Sequence, residues 1–113
     1  MSDIKSEAVK IHNAISASAT SAEINTKGYN AIIIHTVVTV AVKNWTTKIL
    51  GSLVSGGTFS DFYDNGTLCS FQTNSGKVML FKGLPQFIKI DMTEDEDTGK
   101  ATVYYQLIKL WGV

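Results

Sequence analysis

Two residue types that constrain small domains are almost missing from this 113-residue sequence, which has one cysteine and one proline. The single thiol, Cys69, cannot form an internal disulfide, so we expect the chain to be made and folded in a reducing cytoplasm. No sign of charge predominates, because ten basic residues balance ten acidic ones. This balance argues against nucleic acid and against an anionic membrane surface as partners.

A long apolar run is also missing. The longest candidate, residues 31–42, is interrupted by His35, Thr36 and Thr39 and is too short to cross a bilayer. The N-terminal residues lack the apolar segment of a secretory signal peptide. A hydrophobic content of 44% with 18% charged residues predicts one folded domain with a core of its own.

Strand-forming patterns account for most of what is present. Residues 87–93 alternate between apolar and polar, which places Ile88 and Ile90 on one inward face. Residues 100–110 are rich in β-branched and aromatic side chains and predict a second strand. The polar residues 94–99 between them predict a hairpin loop that pairs the two strands.

Further strands are predicted over residues 47–54 and 31–42, and the continuous apolar character of the latter predicts a central strand covered on both faces. Residues 68–72 are expected to pair with residues 78–81 across a short polar turn. Pro85 falls between strands, where its missing N–H does least harm. Seven to eight short strands predict an all-β fold, an antiparallel β-sandwich of immunoglobulin-like or jelly-roll-like form.

The start of the chain fits two structures. Ile4, Ile11 and Ile15 follow helical spacing. Val9, together with Ile11 and Ile15, also fits an extended strand. The small residues at 16–21 predict a flexible link after this segment, so we prefer a loose arm that leads into a strand.

The domain organisation follows from this interpretation. Residues 1–20 are expected to form the N-terminal arm and first strand, and residues 21–113 the β-sandwich of a single domain. Deletion of residues 1–15 is then expected to leave a folded β domain while weakening its attachment to a partner.

Residues capable of chemistry are few and scattered. His12 and His35 have no partner at metal-ligand spacing, and Cys69 lies within a strand pattern that predicts a buried, unreactive thiol. Asp61 and Asp64 lead into an Asn-Gly turn, which explains them without catalysis. No nucleophile-elbow, phosphate-loop or metalloprotease motif occurs. We therefore expect no enzymatic activity, no cofactor and no metal site.

An acidic run at residues 94–97 offers oxygen atoms of the kind that calcium prefers. The run lacks the regular ligand spacing of a calcium loop. A solvated loop tip that discourages edge-to-edge aggregation is the preferred interpretation.

Aromatic side chains are predicted in or beside loops at Trp45, Phe59, Phe62 and Tyr63. Exposed rings at these positions would stack on sugar faces or anchor a protein contact. The alternative is that they close the ends of the sandwich. Basic residues do not cluster around them, which argues against single-stranded nucleic acid.

Six segments follow one another in a familiar order: residues 21–29, 31–34, 50–52, 55–59, 81–90 and 98–103. Their order resembles that of small β-sandwich structural proteins of tailed-bacteriophage virions, especially head decoration (auxiliary capsid) proteins and related tail modules. The resemblance extends over residues 20–110. The glycine-containing loop at residues 55–59 lacks the aspartate and tryptophan often found in that family.

The resemblance implies a virion structural protein, made in the bacterial host cytoplasm, that binds the outer capsid surface and stabilises it. It implies the major capsid protein or other virion proteins as partners, a second copy of the chain among them, and no catalytic residues. The alternative is a carbohydrate- or receptor-binding module of a phage tail or fibre. The expected contact residues are apolar ones of the arm and aromatic ones of the loops: Ile4, Val9, Ile11, Trp45, Phe59, Phe62 and Tyr63.

Overall fold

The computed structural model describes residues 4–39, 44–95 and 99–111. Within these residues the chain forms β-strands and no helix. The strands, in chain order, are β1 (Ile4–Lys5), β2 (Val9–Ile15), β3 (Ala19–Thr20), β4 (Ile24–Asn25), β5 (Ala31–Thr39), β6 (Trp45–Ser52), β7 (Ser60–Asp61), β8 (Tyr63–Asp64), β9 (Thr67–Leu68), β10 (Ser70–Thr73), β11 (Gly76–Lys82), β12 (Phe87–Glu94) and β13 (Lys100–Lys109).

The strands form two antiparallel sheets and one small hairpin, β8–β9. In sheet A, β1 and β2 both pair with one side of β13, whose other side pairs with β5, and β11 pairs with β5 at the far edge. In sheet B, β3 and β4 share one side of β12, β6 lies next to β12, and β7 and β10 share the far side of β6. The short strands thus occupy shared positions, and the all-β, antiparallel sandwich is confirmed.

The pairing is nested along the chain. The first strand position (β1 and β2) pairs with the last, β13, and the second (β3 and β4) pairs with the next to last, β12. The third pairs β5 with β11, and the innermost pair is β6 with β10. Eight positions folded up in this way form a jelly roll, which decides between the two predicted forms.

The core lies between the sheets and is built from alternate residues. Ile88, Ile90 and Met92 of β12 are fully buried, as the alternation predicts, and Ile32 and Ile34 are buried on β5. Burial of one such side chain stabilises the fold by about 1.5–3 kcal/mol before conformational entropy is counted.

The predicted hairpin between residues 87–93 and 100–110 is wrong. β12 pairs with β6 in sheet B, whereas β13 pairs with β5 in sheet A, so residues 94–99 connect the two sheets. β12 and β13 each have one apolar face. Because the two strands lie in opposite sheets, these faces meet across the core and both are buried, whereas neighbouring strands of one sheet would not cover each other's faces. Residues 96–98 lie outside the described part of the chain.

The predicted pairing of residues 68–72 with residues 78–81 is wrong for the same reason. β10 pairs with β6 in sheet B, and β11 pairs with β5 in sheet A. At the crossing between them, the backbone N–H of Ser75 donates to Oγ1 of Thr73 at 3.2 Å. The local turn signal was present, but the turn connects sheets.

The N-terminal arm is extended, as predicted, but its described residues are not loose. β2 pairs with β13, with register shifts beside Val103, and Ala14 has a φ of 49°. The His12 side chain is buried, and its Nε2 lies 3.0 Å from the carbonyl oxygen of Ile90 in the opposite sheet. The predicted flexible link is corrected too, because β3 lies within residues 16–21 and pairs with β12. The arm therefore contributes strands to both sheets.

Candidate functional site

The outer face of sheet B is polar apart from the half-buried Leu50 and Phe87, and its charged groups have partners. Nζ of Lys48 lies 2.9 Å from Oδ1 of Asp61, a hydrogen bond that raises the pKa of the lysine. The Asp91 carboxylate accepts hydrogen bonds from the hydroxyls of Thr20 at 2.6 Å and Thr93 at 3.3 Å. A surface whose charges are already paired gains little from a further contact.

The outer face of sheet A is apolar by contrast. The register of β13, β5 and β11 places Tyr104 beside His35 and His35 beside Val78. The neighbouring row places Ile33 beside Leu80. Val78 and Leu80 keep 58% and 48% of their surface exposed. We call the outward residues of these three strands the apolar face: Ile33, His35, Val37, Val78, Leu80, Tyr104 and Gln106.

A depression of about 540 Å³ lies on the apolar face. Its polar groups are few. The rings of His35 and Tyr104 are tilted against each other with centroids 6.0 Å apart, and Nζ of Lys10 lies 5.6 Å from the Tyr104 ring. Burial raises the pKa of the Tyr105 phenol. The lining consists of Ala8, Ile33, His35, Val37, Val78, Tyr104, Tyr105 and Gln106. An apolar floor with a few polar groups at its rim is typical of a binding surface.

Charge is distributed unevenly between the two sheets, although the chain is neutral overall. The strands of sheet A contain no aspartate or glutamate, and they carry six lysines: Lys5, Lys10, Lys77, Lys82, Lys100 and Lys109. The strands of sheet B carry both signs, with Lys48, Lys89, Asp61, Asp91 and Glu94. The charged residues within the strands of sheet A are therefore all basic, and Lys10 lies beside the depression, which favours a partner with acidic groups.

The loop between β6 and β7 exposes two apolar side chains. Leu53 and Val54 are 82% and 64% exposed. The backbone N–H of Val54 donates to Oγ of Ser52 at 3.0 Å, and the N–H of Gly57 donates to the carbonyl oxygen of Val54 at 3.1 Å. We call residues 52–57 the Leu53 loop.

The expected contact residues of the arm are partly accessible. Ile4 and Val9 are 52% and 40% exposed at the β13 edge of sheet A, whereas Ile11 is half-buried and packs against the core. The loop aromatics lie beside β6 in sheet B. The predicted contact residues therefore do not form one surface.

The prediction for Trp45 is corrected by the structure. Trp45 begins β6 and is fully buried, so it lies in the core and presents no ring at the surface. Phe62 is half-buried against the core, and Nζ of Lys89 lies 4.5 Å from the centroid of the half-buried Phe59 ring. Tyr63 is 55% exposed. Trp45 and Phe62 therefore contribute to the core and its margin.

Other candidates for chemistry are dispersed. Cys69 is buried, and burial raises the pKa of its thiol. Within residues 4–39, 44–95 and 99–111, no three His, Cys, Asp or Glu side chains come together as a metal site would require. The calcium hypothesis for residues 94–97 falls partly outside those ranges. No helix in the described part of the chain is long and apolar enough to span a membrane.

Comparison with known structures identifies a similar fold. The chain resembles the SPBc2 prophage-derived protein YomS, with a TM-score of 0.71 and 12% identity over 96% of each chain. The likeness is one of fold. The coat protein of Tobacco streak virus matches with a TM-score of 0.46 and 12% identity, over 98% of this chain and 88% of that protein. No family model and no curated protein sequence matches the chain.

The sequence contains a signal for the apolar face, but that signal predicts a covered surface. The continuous apolar run of β5 predicts a central strand covered on both faces, and β5 does lie between β13 and β11. Only the face with Ile32 and Ile34 is buried against sheet B. The other face, with Ile33 and Val37, lines the open depression.

Proposed function

We propose that this chain is a structural protein of a bacteriophage virion, a head decoration or auxiliary protein that binds the outer capsid surface and stabilises it. The observation that carries the proposal is the second apolar face of β5, which nothing in the described chain covers. An exposed apolar patch on a sheet is typical of a protein contact site. The whole-length fold likeness to a prophage-derived protein supports the assignment to phage.

The proposed mechanism is burial of apolar surface at contacts repeated over the shell. Neighbouring virion subunits cover the apolar face, and Ile4 and Val9, exposed at the β13 edge of the same sheet, contact the shell beneath. Each contact is small, and its gain is offset by the cost of immobilising the partner. Many copies held on one shell add their contacts through multivalency, so weak individual binding is sufficient. The proposal assigns no catalytic activity to the chain.

Binding to phage heads assembled without this protein tests the proposal. Purified protein is expected to co-sediment with such heads and to raise the temperature at which they release their DNA. The double variant Val78→Lys, Leu80→Lys places charge on the apolar face without touching the core, and it is expected to bind at least tenfold more weakly. Gln72→Lys, which adds one lysine to the outward side of β10, is the matched control for Val78→Lys alone: it should bind normally, whereas Val78→Lys should already bind more weakly.

Two results would contradict the proposal. One is full-length protein that remains in the supernatant at every head concentration. The other is equal loss of binding in the double variant and in Gln72→Lys, which would indicate that added charge acts without regard to its position.

A receptor- or carbohydrate-binding module is the second candidate, and one observation favours it. Within the described residues, the His35 imidazole and the Tyr104 hydroxyl have no hydrogen-bond partner, and both side chains line the depression. An aromatic ring beside free polar groups is suited to stack on a sugar. Chemical-shift changes at His35 and Tyr104 on titration with glycans would support it. Unchanged shifts across a glycan panel would exclude it.

A further inference from the structure

The Leu53 loop is a rigid apolar projection. Leu53 and Val54 are the two most exposed large apolar side chains among the described residues. The Glu23 carboxylate fixes the loop from below, because its two oxygens accept hydrogen bonds from Oγ of Ser55 at 2.7 Å and from the backbone N–H of Gly56 at 2.8 Å. These hydrogen bonds lower the pKa of Glu23, so the carboxylate is charged near neutral pH.

Two glycines permit this loop conformation. Gly56 has a φ of +69°, which side chains other than glycine rarely adopt. A Cβ at Gly57 would lie 3.1 Å from the carbonyl oxygen of Val54 and 3.3 Å from the Val54 Cβ. The loop is therefore ordered before any partner arrives, which reduces the entropy cost of using Leu53 as an anchor.

The depression on the apolar face has the complementary properties. Its floor is formed by Ile33, Val37 and Val78, and about 540 Å³ is ample for a leucine and a valine side chain. Lys10 lies beside the depression, with its Nζ 5.6 Å from the centroid of the Tyr104 ring, whereas the projection has the Glu23 carboxylate at its base. The two surfaces therefore match in apolar character and in charge.

We infer that the Leu53 loop of one copy inserts into the depression of a second copy. The partner is a protein surface, because an anionic group beside the tip would repel both phosphate head groups and nucleic acid. The loop leaves sheet B and the depression lies on sheet A, so the contact is head-to-tail, and it generates a ring or an open array. The inference rests on the proposed function, in which neighbouring virion subunits cover the apolar face.

Sedimentation velocity of the purified chain, at concentrations rising into the millimolar range, tests the inference. The wild type is expected to form species larger than a dimer. Leu53→Asp places a charge at the tip of the projection, and Val78→Asp places one in the floor of the depression. Each substitution is expected to lower the association constant about thirtyfold. A 1:1 mixture of these two variants keeps one good projection and one good depression, so it is expected to form a dimer and nothing larger.

The outcomes separate the alternatives. A wild type that stays monomeric overturns the inference, as does self-association of Leu53→Asp with wild-type strength. A symmetric contact would leave the mixture monomeric, and that result also overturns it. Gln72→Asp adds the same charge on sheet B and is expected to associate normally. Head binding without self-association would overturn only this inference, and self-association without head binding would overturn only the proposed function.

Glu23 is a positioning residue in this scheme, and its role is specific to the copy that provides the loop. Glu23→Gln added to Val78→Asp is expected to weaken association with Leu53→Asp about threefold to tenfold. Glu23→Gln added to Leu53→Asp, where only the depression is used, is expected to change nothing. Equal weakening in both settings would indicate general destabilisation and would contradict the positioning role.

Discussion

The outer faces of the two sheets differ in how completely the chain satisfies them. On sheet B, Lys48 and Asp61 pair with each other and Asp91 accepts two hydroxyl hydrogen bonds. On sheet A, Val78 and Leu80 remain exposed, and the charged residues of its strands are all lysines. A satisfied surface has little to gain from association, whereas an apolar surface gains free energy in proportion to the area it buries.

Both outer faces belong to one compact jelly roll, so the difference is not a matter of folding. The core residues face inward from both sheets and are equally well buried. The excess apolar residues of β5 are therefore a property of the surface that the fold itself does not require. This is why the apolar face, and not the loop aromatics, is the principal contact surface in our proposal.

The largest effect is expected at the edge of sheet A. Deletion of residues 1–15 removes β1 and β2, uncovers the edge of β13 and leaves the Ile90 carbonyl without His12. We expect this truncation to abolish the folded state, because β13 loses its neighbours on one side. The exposed edge strand would also favour aggregation. Circular dichroism and thermal unfolding measure it. A truncated domain with a cooperative transition near that of the full chain would restore the original prediction of a dispensable arm.

A pair of neighbouring residues on β5 compares the inner and outer faces directly. Ile34→Ala creates a cavity in the core and is expected to lower the free energy of unfolding by about 2–5 kcal/mol. Ile33→Ala, on the outer side, is expected to cost about 1 kcal/mol or less in the isolated chain. Urea unfolding measures both. Equal costs would show that the outer side is already covered, and the contrast between the two faces would be lost.

The ion pair on sheet B is expected to contribute less than either change. The side chains of Lys48 and Asp61 are 28% and 43% exposed, so water and salt screen their attraction. Asp61→Asn is expected to cost at most about 1 kcal/mol, and the difference should shrink in high salt. A loss of several kcal/mol would mean that sheet B depends on its surface charges more than we infer.

The smallest effect is local and depends on pH. The lowered pKa of Glu23 means that its clamp on the Leu53 loop is complete above the ordinary value of 4.5 and is lost as the pH falls through the lowered value. Faster amide exchange at Gly56 is expected below that point, with little change in global stability. Exchange measured by NMR in Glu23→Gln should be fast at every pH. A clamp that persists under strong acid would exclude the carboxylate as its cause.

Alternation along the chain was sufficient to predict the longer strands and their inward residues, whereas β3 lies in the segment predicted as a flexible link. Ile88, Ile90 and Met92 lie where the pattern places them, and β5 occupies a central position. Both predicted hairpins were wrong, because a turn signal indicates where the chain reverses and not which sheet receives the next strand. Trp45 was misplaced because a ring at the start of a strand has the same local sequence context as one in a loop.

The sequence by itself determined an all-β domain with an apolar strand within residues 31–42, of which residues 40–42 lie outside the described part of the chain, and one lone, buried thiol. Tertiary structure decided the nested pairing of the strands, the pairing of the arm's strands with both sheets, and the location of six lysines in the strands of sheet A. The physical reason is that periodicity depends on neighbours one or two residues away. Sheet membership and surface charge depend on contacts between residues far apart in the chain, and only folding brings these together.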